Sequence, residues 1–166
     1  MDSRMVTGIV TYLDYFAAYR LYRRRTAIMM NWITILAAIA GLVVILAGAG
    51  YWRWGIYLMG AGIGGFIGEF VQAHFLLPRK VKQLYAQYKG ITTPIVCEWD
   101  SELLRVKSSM GKGERSWNDF AKVEEDDKVL LLYITDALFE VVPKSWFKDA
   151  WKLEDFRKYA TAGRDV

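Results

Sequence analysis

The chain has 166 residues, of which 54% are hydrophobic and 24% charged, and its mean hydropathy is still positive at +0.11. The apolar weight is therefore concentrated: residues 26–52 contain no charged side chain, and a second apolar run follows Arg53 at once. Runs of that length exclude a wholly soluble enzyme, a disordered chain and a collagen-like chain. The net charge of +4 is equally uneven. Residues 1–26 hold five basic and two acidic side chains (Asp2 and Asp14), residues 79–89 hold four basic ones (Arg79, Lys80, Lys82, Lys89), and residues 90–166 hold twelve basic against fifteen acidic. Two basic collars thus flank an apolar hairpin in front of a net acidic region, which removes the case for nucleic-acid binding.

In chain order, Thr11 and Asp14 form a capping pair, and residues 12–25 read as a helix with aromatic and basic faces. It leads into a first membrane span at about residues 27–49. Tyr51, Trp52 and Trp54 mark the turn at one interface, and Trp32 marks the other. A second span follows at about residues 54–77 and is expected to stop at Pro78. Ala47, Gly48 and Ala49 have the look of a signal-peptide processing site. The long apolar run and the immediate second span favour a retained hairpin instead. With lysine and arginine biased to the cytoplasmic side, both termini are expected in the cytoplasm. Arg23, Arg24, Arg25, Arg79, Lys80 and Lys82 would then meet anionic headgroups.

Residues 78–90 read as a linker helix with Val81, Leu84, Tyr85 and Tyr88 on one face and Gly90 as its stop. From Thr92 the period changes. Residues 95–99, 103–108, 114–117, 121–124, 129–135 and 138–142 are short β-prone runs, and the stretch from Met110 to Gly113 reads as a turn. A last helix, about residues 153–160, places Leu153, Phe156 and Ala160 on one face. Four parts are expected: residues 1–26 as a juxtamembrane segment, 27–77 as the hairpin, 78–90 as the linker and 91–166 as an α+β domain. The single cysteine, Cys97, permits no intrachain disulfide, in keeping with a reducing compartment.

Several motifs in order resemble the YcxB-like family of small bacterial membrane proteins. They are Tyr12-Leu13-Asp14-Tyr15, the hairpin, Ser116-Trp117-Asn118-Asp119-Phe120 with Lys122-Val123, Leu130-Leu131-Leu132-Tyr133, and Val142-Pro143-Lys144-Ser145-Trp146-Phe147. The resemblance implies a cytoplasmic domain with a pleckstrin-homology-like fold, a small β-barrel or sandwich closed by a C-terminal helix. It implies no enzymatic activity. Trp117 and Asp119 would mark a buried aromatic on a strand, and Pro143 and Lys144 a strand end turning into the last helix.

The remaining constellations each have a structural reading. Gly60, Gly64 and Gly68 recur every fourth residue, leaving a groove that admits another backbone. Ala37 and Gly41 of the first span offer the matching face, and self-association through the same groove is the other use. Gly60, Gly62 and Gly65 also match a dinucleotide fingerprint, which fails for want of a preceding strand. Asn31, Thr34, Glu69, Gln72 and His74 are polar positions within the spans. Folding the hairpin about Tyr51 and Trp52 sets Thr34 opposite Glu69 and Asn31 opposite Gln72, a cluster that fastens two helices or serves a function there. Lys107, Lys112 and Arg115 surround the glycine turn and could touch headgroups or an acidic partner. Glu98, Asp100 and Glu102 alternate without a histidine or a fixed ligand loop, so a solvated hairpin is favoured over a cation site. No cofactor, metal or catalytic residue is expected.

The function expected is that of a non-enzymatic membrane protein that tethers its C-terminal domain for binding a protein partner or sensing the membrane surface. The alternatives are an immunity or antitoxin protein acting through the hairpin, and a subunit of an oligomeric channel or transporter.

Overall fold

The computed structural model describes residues 4–48, 50–87 and 92–162. Asp2, Ala49, Tyr88, Lys89 and the stop expected at Gly90 lie outside the described residues. The chain divides into two compact units, one formed by the chain up to Leu21 together with the chain from Val81 onward, the other by residues 22–80.

The first unit starts with a strand that the sequence reading leaves out. Met5–Gly8 (β1) pairs antiparallel with Ile95–Trp99 (β2), placing Val6 opposite Cys97 and Gly8 opposite Ile95. Residues 1–26 are therefore not a separate juxtamembrane part. The hairpin is inserted between the first and second strands of one sheet, and the domain expected at residues 91–166 takes its edge strand from the other side of that insertion. The sheet continues through Leu103–Ser108 (β3) and Gly111–Ser116 (β4), in the order β1-β2-β3-β4. A second sheet holds Lys122–Glu125 (β5), Val129–Tyr133 (β6) and Phe139–Pro143 (β7) in sequence order. The glycine turn expected at residues 110–113 is narrower than that. Gly111, Lys112 and Gly113 pair with Ser108, Lys107 and Val106, because a glycine flanked by a paired register stays in the ladder.

Alternation decides what each sheet buries. Val6, Cys97, Leu104, Leu130, Leu132 and Val142 share one core with Trp99, Trp117, Trp146 and Phe156. The helix Ala150–Ala162 (α4) supplies Phe156 and Ala160 to that core, so it closes the space between the sheets, while the sheets themselves do not join into a barrel. Asp155 on α4 accepts a hydrogen bond from Trp99 Nε1 at 2.9 Å and pairs with Arg4 at 2.9 Å, tying the helix to β2 and to the residue before β1. Trp146 covers Gly8, where any side chain would overlap its indole, and its Nε1 donates to the Ile9 carbonyl at 3.3 Å.

The helix Tyr12–Leu46 (α1) begins where the sequence places it. Asp14 Oδ2 accepts from the Thr11 amide at 3.0 Å and the Thr11 hydroxyl at 2.7 Å, and the Asp14 amide donates back to Thr11 Oγ1 at 3.3 Å. It has no break at residue 26, so the expected aromatic helix and first span are one element. The second long helix is Trp52–Val71 (α2), a wide turn Gln72–Leu76, and Leu77–Gln87 (α3). Pro78 does not end it. In the wide turn the Leu77 amide donates to the Gln72 carbonyl, five residues back, and the proline follows one residue later with the helix continuing to Gln87. Tyr12–Leu46 and Trp52–Gln87 are both long and apolar enough to cross a membrane.

Candidate functional site

Within the second unit, the helices of the hairpin meet through glycine, but not through the stripe singled out above. A Cβ on Gly62 would lie 2.7 Å from the Ala38 nitrogen and the Thr34 oxygen, and one on Gly55 would lie 2.7 Å from the Gly41 oxygen. One on Gly41 would lie 2.6 Å from the Gly55 oxygen, and one on Gly65 would lie 2.6 Å from Thr34 Cγ2. Gly60, Gly64 and Gly68 have nothing within 4 Å of such an atom. Gly41 is therefore a packing residue as expected and Ala37 is half-buried beside that face, while the every-fourth-residue stripe points away from the partner helix. The reason is geometric: Gly55 and Gly62 lie seven residues apart, two turns on one face, whereas Gly60 and Gly64 each lie two residues from Gly62, about 200° around the helix.

This register also dissolves the expected polar cluster. Thr34 packs on Gly62 and Gly65, one turn short of Glu69, and its hydroxyl donates to the Asn31 carbonyl of its own helix at 2.9 Å. Glu69 and Asn31 are half-buried, and Gln72 is exposed. His74 is exposed too. It stacks on Phe70 with ring centroids 4.3 Å apart, and its Nδ1 lies 3.0 Å from the Phe70 carbonyl. Among the described residues no ion pair involves Arg23, Arg24, Arg25, Arg79, Lys80 or Lys82, and all but the half-buried Arg23 are exposed. The linker helix packs on its own unit: Val81 is fully buried, and Tyr85 donates to the Val10 carbonyl at 2.9 Å.

The first unit uses most of its charges internally. Lys107 binds both carboxylate oxygens of Glu98 at 3.0 Å, and Arg115 reaches from β4 to Glu140 on β7 at 3.0 Å. Of the three cations expected around the glycine turn, only Lys112 makes no ion pair among the described residues. Asp100 accepts from the Glu102 and Leu103 amides at 2.8 and 2.9 Å and pairs with Arg105 at 2.7 Å. Glu98 and Asp100 are thus hairpin fasteners, and among the described residues no group of three or more His, Cys, Asp or Glu side chains could hold a metal. Those bonds hold the Asp100 carboxyl below its ordinary value, the two backbone amides first and Arg105 after them. A carboxylate depressed in the folded state contributes stability that is complete above its unfolded value near 3.8 and lost as the pH falls through the lower folded value. Asp100→Asn should lower the melting temperature slightly at pH 7, since the pair is largely solvated, and should flatten its decline below pH 4; melting curves across pH 7 to pH 3 check this.

A cleft of about 470 Å³ opens between the sheets. Cys97, Val106, Val142 and Trp146 line its interior, and Met110 and Leu138 line its mouth at 73% and 55% exposure. Burial, with the nearby Glu140 carboxylate second, pushes the Cys97 thiol up to about 12, so it is a packed side chain and not a nucleophile.

Ser116, Trp117 and Asp119 form the other organised feature. Ser116 Oγ accepts from the Asn118 amide, and Asp119 accepts from the Ser116 amide at 3.1 Å, capping a single 3-10 turn, Trp117–Asp119. Trp117 is buried as expected, but on that turn and not on a strand, and its Nε1 donates to the Asp100 carbonyl at 2.9 Å. Pro143 ends β7, and the Lys144 amide donates to the Lys128 carbonyl at 2.8 Å as a second 3-10 turn leads towards α4. Residues 99–160 match the family model described as YcxB-like protein. This stretch is similar to that family. Neither a curated protein nor a solved structure matches the chain. The YcxB-like match begins at the last residue of β2, so β1, the hairpin and the Tyr12 to Tyr15 motif lie outside it. Its signature residues are structural in this fold: Trp117 stacks on Tyr159 and meets Phe156 edge-on, and Lys144 pairs with Glu125 at 3.4 Å. Sequence reasoning missed the cleft, whose lining comes from both sheets and from Tyr15 and Tyr19 on α1.

Proposed function

We propose that the chain is a non-enzymatic tether of the bacterial inner membrane, whose two-span hairpin holds a pleckstrin-homology-like domain at the cytoplasmic surface to bind a protein partner there. The observation that carries this reading is the insertion of the hairpin between β1 and β2. A domain joined to a hairpin by one linker can swing on it. One whose sheet is interrupted by the hairpin is attached at two points and stays at the surface, which raises its effective concentration for membrane partners. The four- and three-stranded sheets with a closing C-terminal helix support the pleckstrin-homology-like assignment, and the exposed collar cations support anchorage on anionic headgroups. The test exchanges the hairpin, residues 22–80, for an unrelated two-span hairpin of the same orientation, followed by crosslinking in native membranes. Tethering predicts that the same partner is captured. Loss of the partner in a folded, membrane-inserted exchange variant would overturn tethering and make the hairpin the active element, as an immunity or channel function requires.

A further inference from the structure

The two exposed apolar turns of the first unit lie at one end of its sheets. In the four-stranded sheet, Gly8 pairs with Ile95, Val96 with Lys107, and Ser108 with Gly111, so the β3–β4 turn carrying Met110 sits where the chain leaves β1 and enters β2. In the other sheet, Tyr133 pairs with Phe139, and the turn between them carries Ala137 and Leu138. Met110, Ala137 and Leu138 line one cleft together with Ile95, Tyr15 and Tyr19, so both turns share that end. The Tyr19 ring lies 6.2 Å from Phe139. Two residues later α1 passes Leu21, and six residues beyond Leu21 is Ala27, where the apolar run of the first span is under way.

We infer that the Met110 and Leu138 turns dock on the bilayer that holds the hairpin, inserting their side chains at the headgroup boundary. The inference rests on the tethering reading and deepens it by naming the face and its occupant. Among the described residues Met110 and Leu138 are exposed large apolar side chains at the tips of these turns, the apolar run of the first span follows within six residues of Leu21, and a bilayer would cover them. Charge contributes little. Lys107 is spent on Glu98, and Lys112, two residues from Met110, is opposite in sign to Asp136, two residues from Leu138. Insertion should therefore depend on apolar depth far more than on anionic lipid.

Single cysteines at Met110, Leu138, Asp127 and Leu42 in the full chain, spin-labelled in nanodiscs, test this. Cys97 stays silent because its thiol is 2% exposed and protonated at neutral pH. Asp127 sits in the β5–β6 turn at the opposite end of its sheet, and Leu42 is an exposed residue of the first span. Labels at 42, 110 and 138 should relax more strongly with oxygen than with an aqueous nickel complex, and the label at 127 should show the reverse, in zwitterionic and anionic nanodiscs alike. A lipid-exposed Leu42 label with aqueous labels at 110 and 138 would sink the docking inference alone. An aqueous Leu42 label would sink the tethering reading itself. Labels at 110 and 138 that are aqueous in nanodiscs but shielded in native membranes would overturn lipid as the occupant in favour of a protein.

Discussion

Phe156→Ala should unfold most of the two-sheet domain. Its side chain is fully buried, with Trp99 at 5.3 Å and Trp117 and Phe147 each at 5.4 Å between ring centroids, so it is the point where both sheets and the last helix meet. Deleting such a ring removes transfer energy and leaves a cavity, together about 3–5 kcal/mol, against a total stability for a small domain of about 5–15 kcal/mol. The cavity cannot collapse easily. Two of the three surrounding rings are themselves held: Trp99 Nε1 by Asp155 at 2.9 Å and Trp117 Nε1 by the Asp100 carbonyl at 2.9 Å. Near-ultraviolet circular dichroism of the full chain in mild detergent reports those tryptophans and should melt far lower, or be lost, in the variant. Phe156→Leu should fall between variant and parent. Glu154→Ala, an exposed position two residues away on α4, should change little. A Phe156→Ala variant that melts like the parent would mean that α4 does not close the core.

Local patterns were legible and distant partners were not. Residues 95–99 and 103–108 are β-prone runs either side of a tight Asp100 turn, so β2 and β3 end where the sequence places them. The Thr11 and Asp14 cap is visible because both partners lie within one helical turn. β1 has only Met5, Val6, Thr7 and Gly8, and its pairing energy comes from a strand some ninety residues away, beyond any local period. The one available signal is the β-branched character of that run just ahead of the cap. At Pro78 the helix-stop rule is sound, but a wide turn just before it relieves the conflict, and nothing in the sequence marks a change of hydrogen-bond step. The cleft was illegible for the same reason as β1: its walls come from β2, β3, β7 and α1, and only the folded register brings them together.

The hairpin offers the sharpest case, since glycine content alone does not say which face packs. Gly62→Val should separate the two helices, whereas Gly64→Val should leave them together. Both changes introduce the same β-branched residue into the same helix, so propensity cancels and packing remains. At position 62 the new Cβ would lie 2.7 Å from two backbone atoms of α1, which cannot rotate away; at position 64 it meets nothing within 4 Å. In lipid no hydrophobic force holds two helices together, so close backbone approach is the main source of their attraction, and forcing it open costs about 1–3 kcal/mol, as in other overpacked contacts. Disulfide crosslinking between Ile45→Cys and Gly55→Cys, in variants carrying either valine, reads the separation directly, because those positions touch in the parent. Since the Gly55 change is itself crowded, helical melting in detergent of the single valine variants supplies an independent reading. Equal loss at Gly64 would overturn the assignment of the packed face, because only an occupied groove makes a valine there costly.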